Sequence, residues 1–301
     1  METGSIPLAE IPGPVDLQAT IESGQTFRWV RPDGRMYEED VPTGGDAWYR
    51  TVLDGQAVEL RQTETAIEWR ARGDPTTAIT RRLALDEEMT AMLEALPDDE
   101  TVAAAWRAFP GLRVVDEPFF QTLVSFILSA QMRVERIHTL VRSLADRYGE
   151  THQLDGGESI AAFPTPSTLA AVPETELRDL GLGYRAPYVK STAEMVDGEI
   201  LGADDIAGKP YEAARARTTE FVGVGEKVAD CVLLFSLGYT EPVPLDTWIE
   251  TALEEHFPEV PRGTYAETSR AIRERFGPYP GVTQTYVFHY LRHREAIEAA
   301  T

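Results

Sequence analysis

The chain contains only three lysines, Lys190, Lys209 and Lys227. Lys227 stands in the stretch GVGEKVADC (223–231), directly behind a glycine-rich turn and at the start of what reads as a helix. The positive end of a helix dipole disfavours a cation, so this placement points to chemistry rather than solubility. A primary amine attacks an electrophilic carbon only when unprotonated. An ordinary lysine, with a pKa of ~10.4, reaches that state through desolvation and a nearby helix N-terminus. Nineteen residues later, in VPLDTWIE, comes Asp246. Its position before Thr247 makes it a helix cap. The rigid Gly and Pro segments ahead of both residues also allow the amine and the carboxylate to face one cleft, where the carboxylate would stabilise cationic character. Between the helices, Gly223 and Gly225 leave the turn bare and permit positive φ. Backbone N–H groups would then point outward at the next helix start and cradle a phosphate. A plain tight turn would use the same residues.

These groups need elements to position them. The first third reads as β: TFRWV, AWYRTVL, AVELRQ and AIEWRARG alternate, with Asp54-Gly55 as a turn between two of the runs. From about Asp86 the pattern is helical. DEEMTAMLEAL and DDETVAAAWRAF open on acidic residues that suit the dipole, EPFFQTLVSFILSA reads as a buried helix, and VERIHTLVRSLADRYG ends on a glycine stop at Gly149. Further helical runs continue to the C-terminus. The expected fold is α+β: an antiparallel β-sheet domain over 1–85, then an all-α domain over 86–301, with the hairpin at about 209–238.

Composition sets limits. Twenty-eight Lys and Arg against fifty Asp and Glu give a formal net charge of −22, yet hydrophobic content is normal for a folded chain. This suits a protein adapted to a salty cytoplasm, since at ~1 M salt the Debye length is ~3 Å and self-repulsion is screened. On charge alone a nucleic-acid partner is disfavoured, although backbone N–H groups and helix N-termini hold phosphates without cationic side chains. The single cysteine, Cys231, excludes disulfides and any cysteine-based zinc or iron–sulfur site. No apolar run approaches the ~20 residues of a membrane span. The opening METGSIPLAEIPGP lacks the basic segment and apolar core of a signal peptide. A soluble, cytoplasmic protein is expected.

FVGVGEKVADCVLLFSLG followed by VPLD resembles the helix-hairpin-helix, Gly/Pro-rich loop and aspartate signature of the HhH-GPD DNA glycosylases. More narrowly it is similar to the 8-oxoguanine DNA glycosylase/AP lyases of the eukaryotic type. SGQTFRW, GLGYRAPYV and FGPYPGVTQTYVF resemble that family in the same order, so the likeness spans nearly the whole chain. The resemblance implies a monomer acting on double-stranded DNA that carries oxidised guanine, without a required cofactor and without an iron–sulfur cluster. Lys227 would attack the sugar C1′ and Asp246 would stabilise the developing oxocarbenium charge. Gln284 and Phe288 would hold the flipped base, Cys231 would cover its other surface, and the carbonyl of Gly24 would accept the N7–H that distinguishes 8-oxoguanine from guanine. Tyr184 would wedge the duplex, with Arg185 and Arg136 reading the opposite cytosine. The carbonyls of Thr219, Phe221 and Val224 match a hairpin site for a structural monovalent or divalent cation. Two positions depart from the family. Gln131, Met132 and Arg133 replace its asparagine run, leaving Gln131 to fill the gap of the flipped base. Trp248 replaces a phosphate-contacting histidine. A glycosylase of the same fold for other lesions, such as alkylated purines, and a non-catalytic hairpin DNA-binding protein are the competing readings.

Overall fold

The computed structural model describes residues 1–38, 40–260 and 263–300, apart from the side chains of Thr247, Trp248 and Ala300. Strands β1 (Glu2–Pro7), β2 (Tyr49–Leu53), β3 (Gln56–Gln62) and β4 (Ala66–Ala71) form one antiparallel sheet in the order β1-β4-β3-β2. Asp54 and Gly55 join β2 to β3 with φ of 46° and 77°. Paired left-handed residues match the right-handed twist of a hairpin. The sheet buries Trp29, Tyr49, Leu60 and Ile67 against Leu17, Ile21, Ile79 and Leu85.

Two readings of this part change. TFRWV is not a strand: it makes a single bridge, Val30 to Arg50. Its residues through Trp29 are buried, and its polar groups bond to protein instead of water, the Arg28 guanidinium donating to the Ala161 carbonyl at 2.8 Å. The Thr26 hydroxyl and the Trp29 indole donate to Glu117 at 2.6 and 3.4 Å. The first strand is instead the N-terminal segment, which lacks apolar alternation because Gly4 lies under Trp69. A Cβ on Gly4 would sit 2.2 Å from the indole.

Helices follow: α1 (Leu17–Glu22) and α2 (Thr76–Arg82) flank the sheet, and α3 (Met89–Glu94), α4 (Glu100–Ala108), α5 (Phe119–Leu128) and α6 (Val134–Tyr148) come next. Gly149 ends α6 with φ −84°, so it is not a left-handed stop. It is glycine because a Cβ would meet the Ala162 carbonyl at 1.8 Å. A short ribbon, β5 (Thr151–Gln153) with β6 (Ser159–Ala161), interrupts the otherwise helical region. Then come α7 (Pro166–Ala171), α8 (Glu174–Leu177), α9 (Ala186–Asp197), α10 (Tyr211–Thr218), α11 (Glu226–Ser236), α12 (Thr247–His256), α13 (Tyr265–Phe276) and α14 (Pro280–Ala300).

The helices build two cores. One gathers α5, α6, α9 and α11 around Leu123, Leu140, Val189 and Val232. The other gathers α3, α4 and α12 to α14 around Phe109, Phe257, Phe276 and Tyr286, with Trp106 stacked on Tyr286 at 3.7 Å. Apolar burial at ~25 cal/mol per Å² holds each together. The chain passes from the first core to the second between α11 and α12, which carry Lys227 and Asp246. No helix among the described residues is long and apolar enough to cross a membrane.

Candidate active site

The hairpin is anchored from below by Phe221 and Val224, both buried, with the Val224 N–H donating to the Phe221 carbonyl at 3.1 Å. Gly223 has φ 83°, and a Cβ there would strike the Tyr188 ring at 2.5 Å. Both facts demand glycine. Gly223→Ala should lower hairpin stability by about 1–2 kcal/mol from left-handed strain alone. Thermal melting and DNA titration would register this as a lower Tm and weaker binding. Gly225 differs from expectation. It is the N-cap of α11 at φ −93°, ψ −179°, an extended conformation open to any residue. Nothing lies within 4 Å of its missing side chain, so its bareness leaves the start of α11 accessible rather than setting a left-handed turn.

At the second residue of α11, the half-buried Lys227 turns inward. Its Nζ donates to the Ser129 hydroxyl at 3.1 Å and lies 5.2 Å from the Phe126 ring centroid. The other lysines are placed elsewhere. The Lys190 ammonium donates to the carbonyls of Ala170 and Val172, and Lys209 is exposed. Asp246 caps α12, its Oδ1 accepting the Ile249 N–H at 2.8 Å. Among the described residues no direct ion pair joins Lys227 to Asp246, yet both charges reach the Cys231 thiol. Burial pushes that thiol up to about 12, against the pull of the Lys227 ammonium, so it presents a neutral, apolar face.

Lys227, Cys231, Asp246, Gln284, Phe288 and Gly24 line a single pocket, open on one side. Gln284 and Phe288 lie one turn apart on α14, and the Gln284 amide has no hydrogen-bond partner among the described residues. Gly24 has φ 91°, and a Cβ there would come within 3.2 Å of Val134. The backbone therefore forms this wall, as a carbonyl-reading site requires.

The other predicted residues do not line the pocket. Gln131 is exposed at φ 54°, an uncommon backbone for a residue with a side chain. Tyr184 is 52% exposed, with the Arg185 guanidinium 4.3 Å above its ring. Arg185 is itself buried and donates to the Ala130 carbonyl, tying the 183–185 turn to the loop that carries Gln131. The exposed Arg136 approaches the same turn, its Nη2 3.3 Å from where a Gly181 side chain would begin. The Trp248 side chain lies outside the described residues.

The model of the 8-oxoguanine DNA glycosylase N-terminal domain matches residues 7–123, and that of the HhH-GPD superfamily base excision DNA repair protein matches residues 124–278. The chain belongs to the HhH-GPD superfamily of base excision DNA repair proteins. A probable N-glycosylase/DNA lyase of Methanothermobacter thermautotrophicus is 27% identical over 311 residues, which cover 93% of this chain and 94% of that protein. A solved structure of MBOgg1 in complex with a low affinity DNA ligand shares 25% identity at a TM-score of 0.84, covering 98% of this chain and 99% of that one. The apo-form of the Clostridium acetobutylicum 8-oxoguanine glycosylase/lyase shares the fold at a TM-score of 0.82 and 24% identity, covering 92% of this chain and 93% of that one.

Several residues of this HhH-GPD pocket carried no signal of their own. Phe126 and Ser129 lie on the apolar run that reads simply as core, and only the spatial approach of α11 to α5 gives them a role. Met132 lines the pocket where Gln131 does not. Gln25 braces the wall: its amide donates to the Thr20 and Arg113 carbonyls at 2.9 and 2.7 Å and accepts the Val115 N–H at 2.9 Å. All three contacts are with backbone, so no sequence pattern announces them.

Proposed function

We propose that this protein is a bifunctional DNA glycosylase and lyase that removes 8-oxoguanine from duplex DNA. The observation that carries this reading is the convergence of an amine, a carboxylate, a free amide and two apolar faces on one base-sized pocket. A base inside a duplex is out of reach, so the nucleotide must be extruded into that pocket. Phe288 and the Cys231 thiol bracket the ring, Gln284 bonds its Watson–Crick edge, and the Gly24 carbonyl accepts the N7–H that guanine lacks. The Lys227 nitrogen then bonds to C1′ as the glycosidic bond breaks, its electron pair leaving with the base. The Asp246 carboxylate offsets the positive charge that builds on the sugar. Opening of the sugar ring gives an imine. Loss of a C2′ proton then expels the 3′ phosphate and nicks the strand. Ser129 fixes the amine on the attack side.

Outside the pocket, Tyr184 wedges the duplex, Gln131 occupies the vacated stack, and Arg136 and Arg185 face the orphaned base. The bare start of α11, with Gly223 and Gly225, takes a backbone phosphate. A structural cation would fit the hairpin only through the backbone oxygens of Thr219, Phe221 and Val224. No group of three or more His, Cys, Asp or Glu among the described residues suits a metal.

The test is excision and nicking across duplexes carrying 8-oxoguanine or alkylated purines, each opposite every base. Release of 8-oxoguanine with strand cleavage supports the reading. Release of alkylated purines alone, or binding without release, contradicts it. Because the phosphate contact proposed here is to backbone N–H groups, on a chain of net charge −22, excision should persist toward ~1 M salt. A steep loss by ~0.2 M would be the behaviour of an ordinary basic glycosylase.

A further inference from the structure

Asp230 follows Lys227 by about one turn of α11 and does not line the pocket. It is 0% exposed, and its carboxylate is held by two phenols. Tyr211 of α10 donates to Oδ1 at 2.8 Å, and Tyr265 of α13 donates to Oδ2 at 2.8 Å. The two phenols differ in one respect. The Tyr265 hydroxyl also accepts the backbone N–H of Leu245 at 3.1 Å, and Leu245 immediately precedes Asp246. The Tyr211 hydroxyl instead receives Arg215 Nη1 at 3.2 Å. A buried carboxylate is costly to desolvate, and besides the two phenols this one has a cation close by, with Arg215 Nη1 3.9 Å away. What it does is align the Tyr265 hydroxyl so that its lone pair meets the Leu245 amide.

We propose that Asp230, through the Tyr265 hydroxyl, fixes the Leu245 amide and so sets the Asp246 carboxylate relative to Lys227. Both are positioning residues for the glycosylase reaction, and the assignment rests on the function given above. The link joins the helix that bears the amine to the strand of chain that presents the carboxylate. A displacement of ~1 Å between such groups costs up to ~10²-fold in rate.

The arrangement also carries a pH dependence. Groups facing Asp230 are Tyr211 and Arg215 from α10, Tyr265 and Arg273 from α13, and Cys231 on α11 itself. Burial, opposed by the two phenols and the guanidinium groups, pushes the Asp230 carboxyl up to about 6. Above that value the carboxylate accepts both phenols. Below it a proton occupies one of those contacts, and the phenol opposite must turn its own hydrogen away.

The experiment is single-turnover excision by the full-length protein against pH, on duplex with 8-oxoguanine opposite cytosine. Thermal melting and DNA affinity are measured alongside. Tyr265→Phe should lower the plateau rate on the order of tenfold with unchanged DNA affinity, and should flatten the acidic limb expected of the wild type near pH 6. Tyr211→Phe touches the same carboxylate without touching Leu245. It should keep the plateau rate and move the acidic limb to higher pH, because one donor to the charged form is gone. Asp230→Asn should resemble Tyr265→Phe. Equal behaviour of the two phenylalanine variants, or a melting loss in Tyr265→Phe with the wild-type rate and limb intact, would overturn the link while leaving the function standing. A wild-type protein that releases no 8-oxoguanine would overturn both.

Discussion

Lys227→Gln should abolish base release and strand nicking together, by on the order of 10³-fold or more, while duplex binding persists. The expectation follows from geometry. The glutamine side chain is one bond shorter, polar and neutral, so it enters the space beside Phe126 and Ser129 without overfilling it and the pocket survives. What disappears is the only nitrogen in the pocket able to form a bond to C1′ and carry it through an imine. Single-turnover excision and gel-resolved nicking check this. Residual nicking at an abasic site, with excision lost, would mean that another amine performs the second step. Lys190, tied to two carbonyls and to Glu194 at 3.2 Å, is poorly placed to do so.

Asp246→Asn separates the two duties of one side chain. As a helix cap, asparagine serves about as well as aspartate. The Ile249 N–H at 2.8 Å keeps an acceptor, and the melting temperature should hardly move. As a source of negative charge beside the reacting sugar, asparagine is useless. Loss of one preorganised electrostatic contact in a site of this kind typically costs about 10²–10³-fold in kcat. A slow but stable and DNA-competent variant is therefore the expected result. An unchanged excision rate would reduce Asp246 to its cap, and a large loss of melting temperature would mean that its structural duty had been underestimated.

The chemistry of the site was more legible in the sequence than the sheet that supports it. Lys227 stands out as a cation at a helix start, whereas Asp246 reads as a cap that could also face Lys227 across one cleft, with its catalytic role implied by the family motifs. Cys231, Gln284 and Phe288 became readable through the ordered family motifs, and all three line the pocket. The failures have a common cause. TFRWV alternates as a strand does, but its polar groups serve partners far away in the chain, Thr26 and Trp29 bonding Glu117 and Arg28 the Ala161 carbonyl. The N-terminal strand has almost no pattern because its fit to Trp69 depends on a missing side chain. Gly149 reads as a helix stop and Gly225 as a positive-φ turn residue. The first instead accommodates a carbonyl from Ala162, and the second leaves a helix end open. Ser129, Gln25 and Asp230 act through contacts with partners distant in sequence, which periodicity does not encode.

The central claim is that one amine, Lys227, forms the covalent bond to DNA. With only three lysines in the chain, the direct measurement is borohydride reduction during turnover of a duplex carrying 8-oxoguanine opposite cytosine, followed by proteolysis and mass mapping of the adduct. The nucleotide mass should appear on the peptide containing Lys227 and on no other. An adduct on Lys190, Lys209 or the N-terminal amine, or turnover without any adduct, would contradict the account.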